Sequence, residues 1–281
     1  MKTISFSLVR DTVARLFREA CYAPGNEVDE ALARAGREES CERCRLALSA
    51  LRENLSAARE LNVPVCQDTG MAVVFCEMGD RVRIEGGCLS DAVNAGVAQG
   101  YTEGRMRLSV VSDPLYDRKN TETNAPAILH LSSVPGDGLR IVAAPKGFGS
   151  ENKSALKMFT PAAGEEEIVS FVRETVRRAG ADPCPPIMVG VGIGGDFEYC
   201  ATLAKRALIR PIGDRNADPR YAALEDRLLS EINGLGIGAA GFGGSVTALA
   251  VKVETYPTHI AGLPVAVNIN CHAIRHAEAR L

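Results

Sequence analysis

The 281-residue chain has no run of like charges and little excess of either sign: 32 Lys and Arg stand against 35 Asp and Glu, for a net charge of −3. That balance removes the electrostatic footprint of a nucleic-acid or lipid-surface binder and leaves small molecules or proteins as partners. No segment reaches the roughly 18 consecutive apolar residues of a membrane span. The amino terminus, MKTISFSLVRDTVARLF, lacks the unbroken apolar stretch and small-residue cleavage site of a secretory signal, so a cytoplasmic protein is expected. Internal repeats and low-complexity segments are also missing. Hydrophobic content of 46% allows a large core, in one big domain or two small ones.

Cysteine is the residue present in excess of structural need. Nine cysteines without export signals point to a reducing compartment, where thiols act as metal ligands, redox groups or core filler, and the odd count fits poorly with a full disulfide set.

Residues 1–62 read as a helical layer: an amphipathic stretch from Ser7 to Cys21, a second helix opened by Asn26, and a third from Glu39 to Asn62 whose Cys44, Leu48, Leu51, Leu55 and Ala58 form one apolar stripe. From residue 63 to 281 short apolar runs broken by glycines predict strands in MAVVFCEM, RVRIEGG, APAILHLS, LRIVAAP, IMVGVGIGG and SVTALAVKVE. Helical patterns at Leu89–Tyr101, Asn152–Phe159, Glu165–Arg178, Phe197–Ile209 and Pro219–Asn233 separate several of them. The expected fold is mixed α/β, a helical amino-terminal layer followed by mixed sheets flanked by helices, as one continuous domain.

The pair Cys41 and Cys44 has zinc or redox spacing, but no second pair or neighbouring His accompanies it, and Cys44 belongs to the apolar stripe; it reads as filler. Cys21, Cys76, Cys88 and Cys200 fall inside helix or strand patterns and read the same way. Cys66, Cys184 and Cys271 differ, because each sits in a turn-forming segment: VCQDTG, PCPPIMVGVGIGG and VNINCHAIRH. Three such thiolates brought together would make a nest for an iron–sulfur cluster with one iron open. In VCQDTG a metal at Cys66 would bring Asp68 beside whatever the metal binds; the alternative is an exposed turn with a buried Cys.

In APKGFGSENKSALKMF, Gly147 and Gly149 flank Phe148 between a predicted strand and helix, where backbone amides attract anions and Lys146 and Lys153 add positive charge. A carboxylate is the favoured anion; a plain strand-to-helix turn is the alternative. The GVGIGG segment resembles a dinucleotide fingerprint only loosely and has no suitably placed ribose-binding acid. His259 lies before a predicted strand and Cys271 after it, so both are expected to face one cavity. His272 and His276, four apart, would share a face of a final helix, as metal ligands or simply in solvent.

Together, CQDTG, MRLSVV, NTETNAP, KGFGSENKSALKMF, CPPIMVGVGIGG, THIAGLPVAV and NCHAIRHAE, in this order, resemble the iron–sulfur hydro-lyases comprising class I fumarase and the tartrate dehydratase α chain. The resemblance implies that Cys66, Cys184 and Cys271 ligate a 4Fe–4S cluster whose open iron acts as a Lewis acid. It implies that Gln67, Asp68, Arg107, Lys146, Gly147 and Gly149 meet a dicarboxylate, with His259 in the place of the family's active-site histidine. The glycine loop departs from the family's single-chain pattern at Phe148, which interrupts three consecutive glycines. Single-chain members continue into a second domain that supplies further site groups. The resemblance therefore implies a separate β subunit of about 200 residues, as α2β2. Fumarate hydration to malate is the first expectation and tartrate dehydration to oxaloacetate the second. A non-catalytic iron–sulfur electron-transfer module is the alternative from another class; an open iron beside Asp68, Arg107 and His259 argues against it, since electron carriers usually close the cluster with a fourth cysteine.

Overall fold

The computed structural model describes residues 1–281. In chain order the elements are β1 (Lys2–Ser5), α1 (Phe6–Tyr22), α2 (Asn26–Glu38), α3 (Glu42–Leu61), β2 (Met71–Gly79), β3 (Val82–Glu85), α4 (Leu89–Glu103), β4 (Ile128–Val134), β5 (Leu139–Lys146) and α5 (Phe148–Glu151). They continue with β6 (Ala155–Phe159), α6 (Glu165–Ala179), β7 (Ile187–Gly195), α7 (Phe197–Ala207), α8 (Pro219–Asn233), β8 (Ala248–Thr258), β9 (Leu263–Asn270) and β10 (Ala277–Arg280). The class is mixed α/β, as expected. The chain divides into two compact units: Met1–Gly25 with Leu55–Phe148 and Arg275–Leu281, and Asn26–Asn54 with Gly149–Ile274. No helix is long and apolar enough to cross a membrane.

In the first unit the sheet order is β10-β5-β2-β4, with β2 parallel to β4 and antiparallel to β5. A separate parallel pair joins β1 to β3. Helix α1 starts where the Ser5 hydroxyl accepts the Leu8 N–H at 3.2 Å. Its Val9, Val13, Leu16, Phe17 and Ala20, at helical spacing, are buried. Val9, Val13, Leu16 and Phe17 share a core with Ala72, Val74 and Cys76 of β2 and with Ala92, Val93, Val97 and Tyr101 of α4. Alternation along β2 thus sends the even-numbered side chains into this core.

In the second unit the order is β6-β9-β7-β8, with β7 parallel to β8 and antiparallel to β9. Ile187, Val189, Val191 and Ile193 of β7 pack with Val169, Val172 and Val176 of α6 and Leu224, Leu228 and Ile232 of α8. The opposite face of β7 is glycine because α7 lies directly on it. A Cβ at Gly192 would come within 2.0 Å of the Cys200 carbonyl oxygen. Gly190 and Gly192 of GVGIGG therefore serve helix-on-strand approach, whereas a Cβ at Gly194 would meet the Tyr256 carbonyl oxygen at 1.9 Å.

Two expectations are corrected here. Ala155–Phe159 is a strand rather than the end of a helix, because β9 offers it an antiparallel partner from Leu263 to Val267 and that pairing overrides the helix-forming residues of ALKMF. The carboxyl end carries no helix: residues 271–276 are irregular, and Ala277–Arg280 pair with β5. The four-residue strands β1 and β10 carry too short a pattern to be read from sequence.

Candidate active site

The first unit gathers the VCQDTG loop into a tightly bonded turn. Gly70 holds φ +78°, and a Cβ there would meet the Lys146 backbone at 2.7 Å, so only glycine fits. The Asp68 carboxylate accepts the Gly70 N–H at 2.9 Å through one oxygen and the Phe148 N–H at 3.0 Å through the other. Each oxygen retains acceptor capacity. The loop's carbonyls are taken by side chains from distant segments. Tyr101 hydroxyl donates toward Thr69 and Gly70 oxygens at 2.9 and 3.1 Å, and Asn124 Nδ2 donates to Gly70 O at 3.1 Å. Burial raises the Tyr101 phenol well above its ordinary value, so it stays a neutral donor.

Arg275, buried at 3% exposure, donates from Nη1 to the Asp68 carbonyl oxygen at 2.7 Å. A Cβ at Gly147 would lie 3.1 Å from Asp68 Oδ2 and 3.5 Å from Arg275 Nη2, so a carboxylate and a guanidinium flank this glycine. Lys146 is buried and donates from Nζ to the Gly147 carbonyl oxygen at 3.1 Å. Arg107 is exposed, and its carbonyl oxygen accepts the Thr69 hydroxyl at 3.1 Å. Gln67 is exposed, with Oε1 3.4 Å from the Cys66 sulfur. Gln67, Asp68, Arg107, Lys146 and Gly147 are thus all tied to one loop system within this unit.

In the second unit Cys184 holds φ 55°, uncommon for a residue with a side chain. Its carbonyl oxygen accepts the His272 N–H at 3.3 Å and lies 3.0 Å from His272 Nδ1, which places Cys184 and Cys271 at one end of the β7–β9 pair. His259 is elsewhere. It occupies the turn before β9, with Nδ1 accepting the Ala261 N–H at 3.1 Å, and lines a groove of about 590 Å³ with Gly195, Tyr199 and Tyr256. The eight residues of β9 separate it from Cys271, roughly 25 Å at strand rise. The expectation of one cavity shared by His259 and Cys271 is therefore corrected: the intervening strand is fully extended. Gly149 lies in the single turn of α5, and Lys153 pairs with Asp182 at 2.5 Å, which neutralises the charge assigned to it from sequence.

Residues 10–280 match the family model described as fumarate hydratase. The chain belongs to the fumarate hydratase family. A Methanocaldococcus jannaschii protein, provisionally named L(+)-tartrate dehydratase subunit alpha, is 43% identical over 279 residues, 97% of each chain. The L(+)-tartrate dehydratase subunit alpha of Escherichia coli K12 is 33% identical over 225 residues, 79% of this chain and 74% of its own. A fumarate hydratase family chain is a hydro-lyase.

The donor set of this fumarate hydratase family member suits a thiolate-held group. None of the nine cysteines is in a disulfide; Cys184 is exposed, and Cys66 and Cys271 are half-buried. By contrast, burial pushes Cys21 up to about 11 and Cys76 up to about 12, which disfavours the thiolate a metal needs. The Asn270 amide oxygen, beside Cys271, is buried without a hydrogen-bond partner. No group of three or more His, Cys, Asp and Glu side chains stands assembled as a metal cage. Sequence reasoning missed Arg275, Asn124 and Tyr101, although the first two lie inside the quoted NCHAIRHAE and NTETNAP blocks. None of the three carries a local signal, because each acts on a loop far from it in sequence.

Proposed function

We propose that the chain is the α subunit of an iron–sulfur hydro-lyase acting reversibly on a C4 dicarboxylate, fumarate and malate being the first pair. The observation that carries this reading is the Asp68 carboxylate, aimed by the Gly70 and Phe148 amides beside Gly147 and buried Arg275, two residues after the half-buried free thiol of Cys66. Cys66, Cys184 and Cys271 would hold the 4Fe–4S cluster. When bound, that cluster supplies a Lewis acid that makes a substrate hydroxyl a better leaving group.

The chain's own residues do the rest. The spare acceptor capacity of Asp68 takes a hydrogen bond from a substrate hydroxyl and orients it, because two amides already fix the carboxylate plane. The exposed Arg107 guanidinium offers paired N–H donors to a substrate carboxylate, with Gln67 beside it. Arg275 keeps a positive charge next to Gly147, and Lys146 fixes the carbonyl of that glycine. Groups for the second carboxylate and for the proton on carbon are assigned to a β subunit of about 200 residues, in an α2β2 assembly. The relatives' designation as subunit alpha supports this.

A second substrate reading, tartrate to oxaloacetate, is favoured by the same relatives' names. The two substrates differ by one hydroxyl, which a site discriminates through the hydrogen bond it leaves unpaired. Anaerobic reconstitution with the β chain, followed by turnover of fumarate, malate and both tartrate enantiomers, ranks them. The chain itself should hold about four irons, and Cys66→Ser, Cys184→Ser or Cys271→Ser should each abolish retention. Iron held by all three variants would sink the assignment. A cluster spectrum unmoved by any dicarboxylate would favour an electron carrier instead.

A further inference from the structure

Cys41 and Cys44 lie outside the site just described, and the structure gives them unequal surroundings within the second unit. Cys41 occupies the N-cap position of the 20-residue α3: its carbonyl oxygen accepts the Arg45 N–H at 3.0 Å, and it is half-buried. Cys44, one turn later, is fully buried. The two cysteines stand three residues apart at the start of this helix. The Cys44 S–H donates to the Gly243 carbonyl oxygen, and its sulfur lies 3.8 Å from that of Ala239. There is no slack behind it, since a Cβ at Gly244 would sit 2.9 Å from the Cys44 sulfur.

An accessible thiol at a helix start, with a buried thiol one turn on, is the arrangement that thiol–disulfide exchange requires. The backbone N–H of Cys44 holds the Cys41 thiol below its ordinary range, against an opposing push from burial. Burial, then the Cys41 thiol, holds Cys44 up to about 11. Attacking and resolving sulfurs are thereby distinguished. Cys88 provides an internal contrast: it is exposed at the N-cap position of α4, but makes no side-chain cap and has no second cysteine one turn on.

We propose that Cys41 and Cys44 form a redox-active dithiol that exchanges with low-molecular-weight disulfides, and that closing it releases the 238–244 loop from the Cys44 S–H. The Cys41 thiolate attacks one sulfur of RSSR; a Cys41–S–S–R bond forms, the RS–SR bond breaks, and the leaving thiolate takes up the proton that Cys41 gave to solvent. The Cys44 sulfur, losing its proton, then attacks the Cys41 sulfur and expels the second RS−, which is protonated. The protein loses two electrons and two protons, and RSSR becomes two RSH. The consumed S–H is the donor to Gly243. The loop it serves also bonds outside itself, since the Ala240 N–H donates to the Pro185 carbonyl oxygen at 2.8 Å, next to Cys184.

The test is independent of the hydro-lyase reading. The reduced full chain is incubated anaerobically with glutathione disulfide, quenched in acid, alkylated and mapped by mass spectrometry. The expected product is a Cys41–Cys44 disulfide, two hydrogens lighter. Cys44→Ser should stop at a glutathione adduct on Cys41, and Cys41→Ser should leave Cys44 reduced. Initial labelling of Cys41 should exceed that of Cys88 by about tenfold. Hydrogen exchange at Ala240 and Phe242 should quicken severalfold on oxidation in the wild type. Cys44→Ala should show that faster exchange without oxidant, and Cys44→Ser should show it under neither condition. Labelling of Cys41 no faster than Cys88, or no intramolecular disulfide in a chain whose circular dichroism is native, overturns the dithiol. A disulfide that leaves loop exchange unchanged overturns the release.

Discussion

The loop of residues 66–70 and the segments around Cys184 and Cys271 both carry sequence-predicted site residues, but they are fastened differently. In the first, the carbonyl oxygens of Asp68, Thr69 and Gly70 are taken by side chains of Arg275, Tyr101 and Asn124. In the second, the bonds run from backbone to backbone: Cys184 N–H to Ala181 O, His272 N–H to Cys184 O, Ala240 N–H to Pro185 O and Ile187 N–H to Thr247 O. A loop fastened by buried side chains fails when one of them is lost. One fastened by its own backbone tolerates side-chain changes and depends on unusual dihedrals, such as φ 55° at Cys184.

The largest expected effect sharpens this contrast. Gly70→Ala places a methyl 2.7 Å from the Lys146 backbone at φ +78°, and should cost about 3–5 kcal/mol, seen as a large drop in melting temperature with loss of activity. Asn124→Leu follows. It strips Gly70 O and the Ser109 N–H, bonded at 3.1 and 2.7 Å, of one buried side chain. The expected loss is about 2–3 kcal/mol, measured by denaturant unfolding. A loss below about 0.5 kcal/mol would show that the loop is not held by its side-chain fastenings.

What could be read from the sequence follows the same divide. Cysteines in turn-forming segments, the CQDTG carboxylate and the apolar stripe of α3 carry local signals, and Cys44, Leu48, Leu55 and Ala58 of that stripe are buried. The fastening residues carry none, because Asn124 acts on Gly70 and Arg275 on Asp68 across separations that no periodicity spans. The ALKMF segment departs from the expected helix for the converse reason: its residues favour helix, while Asn268 Nδ2 at 2.8 Å and the Ile269 N–H at 3.2 Å fix Ser154 at its threshold, beside β9. The expectation of one cavity for His259 and Cys271 fails because their separation in sequence does not reveal that the strand between them is extended.

Glu39 tests the contrast from within the second unit, since here one buried side chain holds backbone. Its carboxylate accepts the N–H groups of Cys41, Ser245 and Val246 at 2.9, 2.8 and 3.1 Å. Burial pushes the carboxyl up, but these donors outweigh it and leave it below the ordinary value of 4.5. A depressed folded-state value means that the contribution is present above the ordinary range and fades as pH falls through the folded value. Glu39→Gln should therefore cost about 1–2 kcal/mol at pH 7. The difference in melting temperature from wild type should shrink in acid below about pH 4. A pH-independent difference would assign the loss to shape rather than charge.

The smallest effect is expected at His272, where the backbone-fastened region should prove indifferent to a side chain. His272→Ala removes the ring nitrogen 3.0 Å from the Cys184 carbonyl oxygen but keeps the His272 N–H bond to that same oxygen at 3.3 Å. The carbonyl is never left unsatisfied, so the penalty is that of one partly exposed hydrogen bond, below about 1 kcal/mol. Chemical denaturation of the full chain measures it. A loss as large as that of Asn124→Leu would mean that the imidazole, and not the backbone, sets the position of Cys184, and the two regions would then be fastened by the same means.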